Sequence, residues 1–305
     1  MIPPPSFLPG RVLSWRNLFI ALVAGLSCAM PVLSRHYGIT WDEWMDSNYA
    51  LLLLKYILSG GKNIAYAACW HGYLYTELLF MISAWSYGTL FTPSLWEFIR
   101  HGLLGDTHLF GFFQWSHAIN SLFGVLFFAA TGLTARQVGG WRTACLALVL
   151  AVGSPRFFGD AMNNPKDIPF AATYMLAIYA MLIFFKEGDR PFFRSMFFLA
   201  LCFAVTMACR IGGVILLCDF VLFSGLKTGY RFFIKKEKVD FMGWGLRVAA
   251  VCAYGYLGGL FFWPYGQIQP LTHLLPSLSQ ISNFQISKPI AICQKRLHEK
   301  PRNRP

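Results

Sequence analysis

The sequence predicts an all-α membrane protein with about seven transmembrane helices and further interfacial helices in its first outer loop. The 305-residue chain is 56% hydrophobic and 13% charged, with 29 Phe and 10 Trp, a composition typical of multi-spanning membrane proteins. Short clusters of basic residues separate the apolar runs, the pattern by which membrane proteins fix their orientation. The net charge of +12 therefore indicates sidedness in a bilayer and does not indicate nucleic-acid binding.

The apolar runs are near or below the length of about 20 residues that a spanning helix needs. The first run follows two arginines and lacks a signal-peptidase site, so we expect an uncleaved membrane helix. Residues 195–225 would form a helix of about 46 Å, too long for one crossing. Basic residues flank both ends, so two helices should meet near Arg210. The expected crossings are 18–33, 117–135, 143–153, 168–185, two within 195–225, and 244–263.

This topology divides the chain into three regions. Residues 1–16 form a cytoplasmic N-terminus, and residues 17–263 form the transmembrane domain, with a first outer loop at 35–113. Residues 264–305 are polar, Pro-rich and basic, which predicts an irregular outer tail. Residues 64–91 are apolar enough to cross the membrane, but their aromatic side chains favour a helix lying in the interface.

Acidic residues gather just after the first membrane helix, in "HYGITWDEWMDSNYA". Thr40 and Glu43 fit the capping-box pattern, so Glu43 could simply close the start of the next helix. Asp42 is not needed for that cap, and Asp46 follows one turn later. Because carboxylates beside lipid are costly unless they are used, this stretch is the first candidate for chemistry.

A second candidate is "SPRFFGDAMNNPKDIPF", which has the features of a helix start. Asn164 is placed as an N-cap before a proline, and Asp167 follows three residues later. A helix N-terminus attracts anions, and Lys166 and Arg156 add positive charge beside it. With Arg210 expected on the same side, this stretch predicts a phosphate site at the outer face, although a well-capped membrane helix alone would also explain it.

Four stretches resemble a known enzyme family: "TWDE" after the first membrane helix, "SPRFFGDAMNNPKDIPFAATYMLAIYA", "HAINSLFGVL" and "MACRIGG". They are similar to the bacterial relatives of the dolichyl-phosphate-mannose protein mannosyltransferases, the glycosyltransferase family 39 group with the GT-C membrane fold. The resemblance implies that an acidic residue of the first outer loop is the catalytic base, a position matched by Asp42, with Glu43 beside it. It also implies a sugar donor carried on a polyprenyl phosphate.

The reaction implied by the resemblance transfers a sugar to a hydroxyl of a protein, lipid or glycan. A carboxylate takes the hydroxyl proton during inverting attack on the anomeric carbon, while cations stabilise the departing lipid phosphate. We therefore expect a hexosyl- or pentosyltransferase of the bacterial inner membrane with a periplasmic active site. The predicted site residues are Asp42 and Glu43 for catalysis, and Arg156, Lys166, Arg210, Asp160 and Asp167 for the phosphate and donor.

Two alternatives remain at this point. A transporter or flippase would place ionisable residues near the middle of the membrane, whereas nearly all of them are expected at one face. An inactive truncated fragment is the other, because members of the resembling family continue for several more helices.

Metal and nucleotide chemistry have little support in the sequence. His101, Asp106 and His108 could ligate a metal ion, but their spacing matches no standard site. No metal site is predicted, and a divalent cation is the only candidate cofactor. His71 and His117 are expected to be interface histidines, and no glycine-rich nucleotide loop is present.

Overall fold

The protein is described here by a computed structural model that covers residues 14–60, 78–103, 110–188 and 193–282. Within these ranges the regular elements are all helical, which confirms the predicted class. The helices are α1 (Trp15–Ser34), α2 (Glu43–Leu58), α3 (Leu78–Leu90), α4 (Leu95–Leu103), α5 (Phe110–Val152), α6 (Pro155–Asn163), α7 (Asp167–Lys186), α8 (Phe193–Cys209), α9 (Val214–Gly229), α10 (Phe241–Leu260), α11 (Pro264–Ile268) and α12 (Leu274–Ser282).

Helix α5 folds back on itself at Gly140. Gly140 has φ 77° and ψ −167°, a conformation that glycine adopts without the steric cost that a side chain brings. A Cβ placed on Gly132 would lie 3.0 Å from the carbonyl oxygen of Ala144, whereas twelve residues of straight helix would separate the two by about 18 Å. The two halves of α5 therefore form a hairpin, as expected from the separate apolar runs 117–135 and 143–153.

The long apolar run after residue 195 is also broken where the sequence predicted. Helix α8 ends at Cys209, Arg210 has an extended backbone (φ −155°, ψ 140°), and a single 3₁₀ turn, Ile211–Gly213, leads into α9. The reversal is tight, because a Cβ on Gly213 would lie 2.9 Å from the backbone nitrogen of Met207.

Contacts between distant residues define two ends of the helical bundle. At one end, which we call the basic end, Lys186 Nζ donates to the Gln137 carbonyl oxygen at 2.9 Å, and the Arg142 guanidinium lies 5.8 Å from the Trp15 ring. At the other, which we call the site end, Asn163 Nδ2 donates to the Gly38 carbonyl oxygen at 3.1 Å. Helix α1, the two arms of α5 and helices α7 to α10 run alternately between these ends, as an alternating membrane topology requires.

Four of the described helical segments are long and apolar enough to cross a membrane: Trp15–Ser34, Phe110–Val152, Asp167–Lys186 and Ile211–Ile234. The segment Phe110–Val152 consists of two antiparallel arms, because it reverses at Gly140. Helix α8 is apolar but shorter. An integral membrane protein follows from these helices, while the count of seven crossings stays a prediction.

Helices α2, α3 and α4 lie in the predicted first outer loop and pack against the start of α5. Their common core includes Leu51, Leu53, Phe80, Ile99 and Phe112, all at most 1% exposed. At 13 residues, α3 is about 20 Å long, less than a bilayer core of about 30 Å. The other part of the stretch 64–91, residues 64–77, lies outside the described residues, so its crossing remains untested.

Two expected irregular segments contain helices. The loop 154–167 holds the nine-residue helix α6, which begins at Pro155. The proposed irregular tail begins with α11 and α12, and His273 of this region stacks on Tyr265 with ring centroids 3.9 Å apart. The prediction of an irregular tail was therefore wrong for residues 264–282, where prolines at or near helix starts were read as breaks. Residues 283–305 lie outside the described residues.

Candidate active site

The first turn of α2 presents three carboxylates at the site end. The backbone N–H of Thr40 donates to Glu43 Oε1 at 2.8 Å, which is the glutamate half of a capping box. Glu43 is fully buried and its Oε2 lies 2.9 Å from Nε2 of His117 on α5. The Glu43 half of the predicted capping box is therefore present, although Asp42 and not Thr40 occupies the N-cap position of α2. Glu43 also makes a long-range contact with His117 that the sequence did not predict.

Asp42 is the carboxylate of this turn that solvent reaches, since its side chain is 29% exposed. Its Oδ1 lies 2.8 Å from the Thr40 hydroxyl, and its Oδ2 lies 3.2 Å from Lys166 Nζ. Partial burial raises the pKa of Asp42, but the Thr40 hydrogen bond and the Lys166 charge outweigh it, so the pKa lies below its ordinary value. Asp42 is therefore ionised at neutral pH.

Lys166 joins two carboxylates of α2 from the turn between α6 and α7. Besides Asp42, its Nζ lies 2.8 Å from Oδ1 of the fully buried Asp46. Burial is the main cause that raises the pKa of Asp46; with the charges of Asp42 and Glu43 it outweighs the lowering effect of Lys166, and the pKa lies at about 7. Among the described residues, none donates a hydrogen bond to Asp46 Oδ2.

The start of α7 is capped as predicted, and it carries a further cation. Asn164 Oδ1 accepts a hydrogen bond from the Asp167 backbone N–H at 3.0 Å. The Asp167 carboxylate does not follow the predicted pattern: it accepts from the Asn164 side chain at 3.1 Å and lies 2.8 Å from Arg210 Nη1. The ion pair links the start of α7 to the α8–α9 reversal, so Arg210 is at the site end as predicted.

Arg156 and Asp160 form a separate pair on α6. Arg156 Nε lies 3.8 Å from Asp160 Oδ2, and the Arg156 side chain is 89% exposed. The ion pairs of Lys166 described above are with Asp42 and Asp46. The backbone near Asp160 is nevertheless held to the site, because Asn120 Nδ2 donates to the carbonyl oxygens of Asp160 and Ala161.

His117 is the site residue that sequence reasoning missed. It was expected to be an interface histidine, but its side chain is 3% exposed and contacts Glu43, 74 positions earlier. A buried histidine on an apolar helix gives no local signal of its partner. The quoted motif "HAINSLFGVL" was the only sequence feature that marked this position.

Asp219 is an exception to the expected one-sided distribution of charge. It lies within the candidate span Ile211–Ile234, and its Oδ2 accepts a hydrogen bond from the Tyr174 hydroxyl of α7 at 3.2 Å. The partner explains how this acid is tolerated, because ionisable groups inside a membrane are usually paired. The other acids considered above lie at the site end.

In the described ranges, no group of three or more His, Cys, Asp or Glu side chains is arranged to hold a metal ion. Asp106 and His108 of the weak metal motif lie outside the described residues, as does His71. A divalent cation as cofactor therefore stays a candidate without a located site.

Residues 104–254 match the family model of the dolichyl-phosphate-mannose-protein mannosyltransferases. The chain belongs to this mannosyltransferase family. Membership makes it a membrane glycosyltransferase of the GT-C type and implies a polyprenyl- or dolichyl-phosphate sugar donor. The matched residues include His117, Lys166 and Arg210, whereas Asp42 and Glu43 precede them. No curated protein and no solved structure gives a significant match.

Proposed function

We propose that this family member transfers a sugar from a polyprenyl phosphate to a hydroxyl acceptor at the site end, with Asp42 as general base. The observation that carries the proposal is the contact between Asp42 and Lys166, 3.2 Å apart although 124 positions separate them. It supports one shared site formed by the first outer loop and the start of α7, where a base and a cation can act on the same substrate.

Asp42 suits the role of base better than its two acidic neighbours. A general base must be ionised and must reach the substrate proton, and Asp42 combines a lowered pKa with partial exposure. Glu43 and Asp46 are fully buried, so neither reaches an acceptor without rearrangement. Glu43 is proposed instead to position the turn that carries Asp42, through Thr40 on one side and His117 on the other.

In the proposed step, the Asp42 carboxylate takes the proton of the acceptor hydroxyl while its oxygen bonds to the anomeric carbon. The bond from that carbon to the phosphate oxygen breaks, with inversion, and polyprenyl phosphate leaves. Fixed cations stabilise the negative charge that develops on the phosphate. Lys166 and Arg210 are the proposed cations, because both are partly buried at the site end and each is already held by a carboxylate.

Arg156 and Asp160 take a lesser part in this proposal. Arg156 is almost fully exposed, and its attraction to Asp160 is screened by water. It is proposed to attract the donor headgroup from solution, while Asp160 and Asp167 orient the cations or the sugar. The sugar could be a hexose or a pentose, and the proposed location is a bacterial inner membrane with the site end periplasmic.

The test is sugar transfer in membranes that contain the protein and a radiolabelled polyprenyl-phosphate sugar. Asp42→Asn should lower transfer by about 10²- to 10⁴-fold, the usual contribution of a general base. Glu97→Gln is the matched control, because Glu97 is an exposed acid of α4. Full activity of Asp42→Asn at unchanged expression would remove Asp42 as the base.

A second measurement separates the proposed phosphate contact from the base. Arg210→Ala should raise KM for the donor and lower kcat, by about 10²-fold or more in kcat/KM, while Asp42→Asn should act mainly on kcat. Equal donor KM and equal kcat in Arg210→Ala and the unmodified protein would exclude Arg210 from the phosphate site.

A further inference from the structure

Helices α9 and α10 leave an open groove between them, far from the candidate active site. Its volume is about 510 Å³, within the range of about 300–1,000 Å³ typical of ligand sites. The groove lies towards the basic end, where Lys186 and Lys227 are found. Its lining is mainly apolar and small, and it runs from Val221 to Gly229 on α9 and from Phe241 to Cys252 on α10.

The glycines of the groove face space that other side chains of the described structure do not fill. A Cβ added at Gly225 or at Gly245 would meet no atom within 4 Å. At the α8–α10 contact the reverse holds, because a Cβ at Gly255 would lie 2.8 Å from the Phe203 Cβ. The small residues of α9 and the first half of α10 therefore form an open groove, while those further along α10 permit close helix packing.

The length of the groove matches one leaflet of a bilayer. From Phe241 to Cys252 the lining extends about 16 Å along α10, and from Val221 to Gly229 about 12 Å along α9. Half of a hydrocarbon core is about 15 Å thick. A transmembrane helix as occupant would need a surface of about twice this length, whereas a lipid chain that starts at the membrane surface ends at this depth.

The groove also contains polar groups in the part that lies nearest to the basic end of the bundle. Ser224 Oγ and Trp244 Nε1 are buried and have no hydrogen-bond partner within the described structure, although both residues line the groove. Trp244 is three residues into α10, about 5 Å from the helix start. Tryptophan is enriched at this headgroup level, where its N–H can bond to lipid carbonyls.

The charge at the mouth of the groove is positive. Lys227 Nζ lies 4.9 Å from the Trp244 ring centroid. Residues 227–240, from the last turn of α9 to the start of α10, include five basic and two acidic residues. Lys235, Lys236 and Lys238 are exposed. Basic residues beside a membrane attract anionic lipid headgroups.

We propose that the groove binds one acyl chain of an anionic glycerophospholipid, whose phosphate group lies near Lys227 at the basic end. The apolar lining accepts the chain, the two unpartnered polar groups face the ester region, and the lysines select the negative headgroup. This site is independent of the proposed sugar donor, because it lies at the opposite end of the bundle from Asp42 and Lys166.

The test is native mass spectrometry of the purified full chain with phosphatidylglycerol or phosphatidylcholine. The unmodified protein should retain phosphatidylglycerol preferentially. The double variant Gly225→Leu/Gly245→Leu should lose the bound lipid, because its side chains fill the groove. Gly25→Leu is the matched control, since a Cβ there also meets open space but lies on α1, and it should retain the lipid. Lys227→Gln should reduce the preference by about five-fold, the effect of one basic residue near an anionic surface.

Equal retention of both lipids would overturn the proposal, as would unchanged retention in the groove-filled variant when size-exclusion chromatography shows it folded. A dimer that disappears when the groove is filled would also overturn it, because a second copy would then be the occupant. If the double variant does not fold, the unmodified protein can be cross-linked to a diazirine-bearing phosphatidylglycerol. The label should then fall within residues 221–229 and 241–252. A label confined to other residues would exclude the site.

Discussion

His117 Nε2 lies 2.9 Å from Glu43 Oε2, and both side chains are almost completely removed from solvent. The contact fastens the first turn of α2 to α5, so the position of Asp42 depends on a residue of another helix. Glu43 also accepts from the Thr40 backbone, and the Thr40 hydroxyl lies 2.8 Å from Asp42 Oδ1. A continuous set of hydrogen bonds therefore leads from His117 to the proposed base.

We expect His117→Leu to lower sugar transfer by up to about 100-fold, because a misplaced turn misplaces the base. The variant also leaves Glu43 Oε2 buried without this partner, at a cost of at least about 1–3 kcal/mol. His117→Gln, whose amide nitrogen can donate to Glu43, should recover much of both losses. Transfer rates and thermal unfolding in detergent check these outcomes; equal activity of Leu and Gln variants would contradict the positioning role.

Lys166→Met should destabilise the protein more at pH 8.5 than at pH 5.5. At the higher pH, Asp46 is ionised and buried, and loss of its cation costs about 3–5 kcal/mol. At the lower pH, Asp46 holds a proton because its pKa is about 7, so removal of the Lys166 charge lowers the free energy of unfolding by less. Chemical unfolding at both pH values measures the difference, and Lys166→Met/Asp46→Asn is the control that should remove it.

Asp46→Asn should change how stability depends on pH. The folded-state pKa of Asp46 is raised from 3.8 to about 7, so the folded state holds a proton that the unfolded state has lost. Stability contributed by this group is therefore present below about pH 4 and decreases as the pH rises to about 7. The lowered pKa of Asp42 contributes stability that is lost only as the pH falls below about 4, outside this range. Melting temperatures from pH 4 to 8 should fall less in Asp46→Asn, and parallel curves would refute the assignment.

Gly140→Ala should destabilise the α5 hairpin. Gly140 has φ 77° and ψ −167°, a conformation almost restricted to glycine, and a side chain in it costs about 1–3 kcal/mol. Gly25→Ala is the matched control: its helical position has open space, where Ala is more favourable than Gly by about 0.5–1 kcal/mol. Thermal unfolding in detergent should therefore shift in opposite directions, and a stabilised Gly140→Ala would show that the reversal does not need this backbone conformation.

The helices could be predicted largely because their signals are local. The seven apolar runs each correspond to a helical arm, and the break at Arg210 followed from length and flanking charge alone. The start of α7 followed from Asn164 and Pro165, whose capping chemistry acts over a few residues. The irregular tail was the main error, since short helices such as α11 depend on contacts with the preceding helices.

The partners within the candidate site could be predicted only in part. A common end for Asp42, Lys166 and Arg210 followed from counting crossings, but the pairing of Lys166 with Asp46 and of Arg210 with Asp167 required the three-dimensional structure. His117 and Glu43 are separated by 74 positions, so neither periodicity nor spacing could join them. Burial of Asp46, which raises its pKa, is likewise a property of the packed first outer loop.

The ion pair between Arg210 and Asp167 affects which anions can bind to Arg210. A guanidinium that already has a carboxylate beside it attracts a single weak anion such as chloride much less than a bare one would. In the proposed reaction, the donor phosphate displaces or shares that carboxylate, and a bidentate, strongly hydrogen-bonding group gains most from this exchange. The Arg210–Asp167 pair itself carries no net charge, so the proposed phosphate site attracts simple anions only weakly.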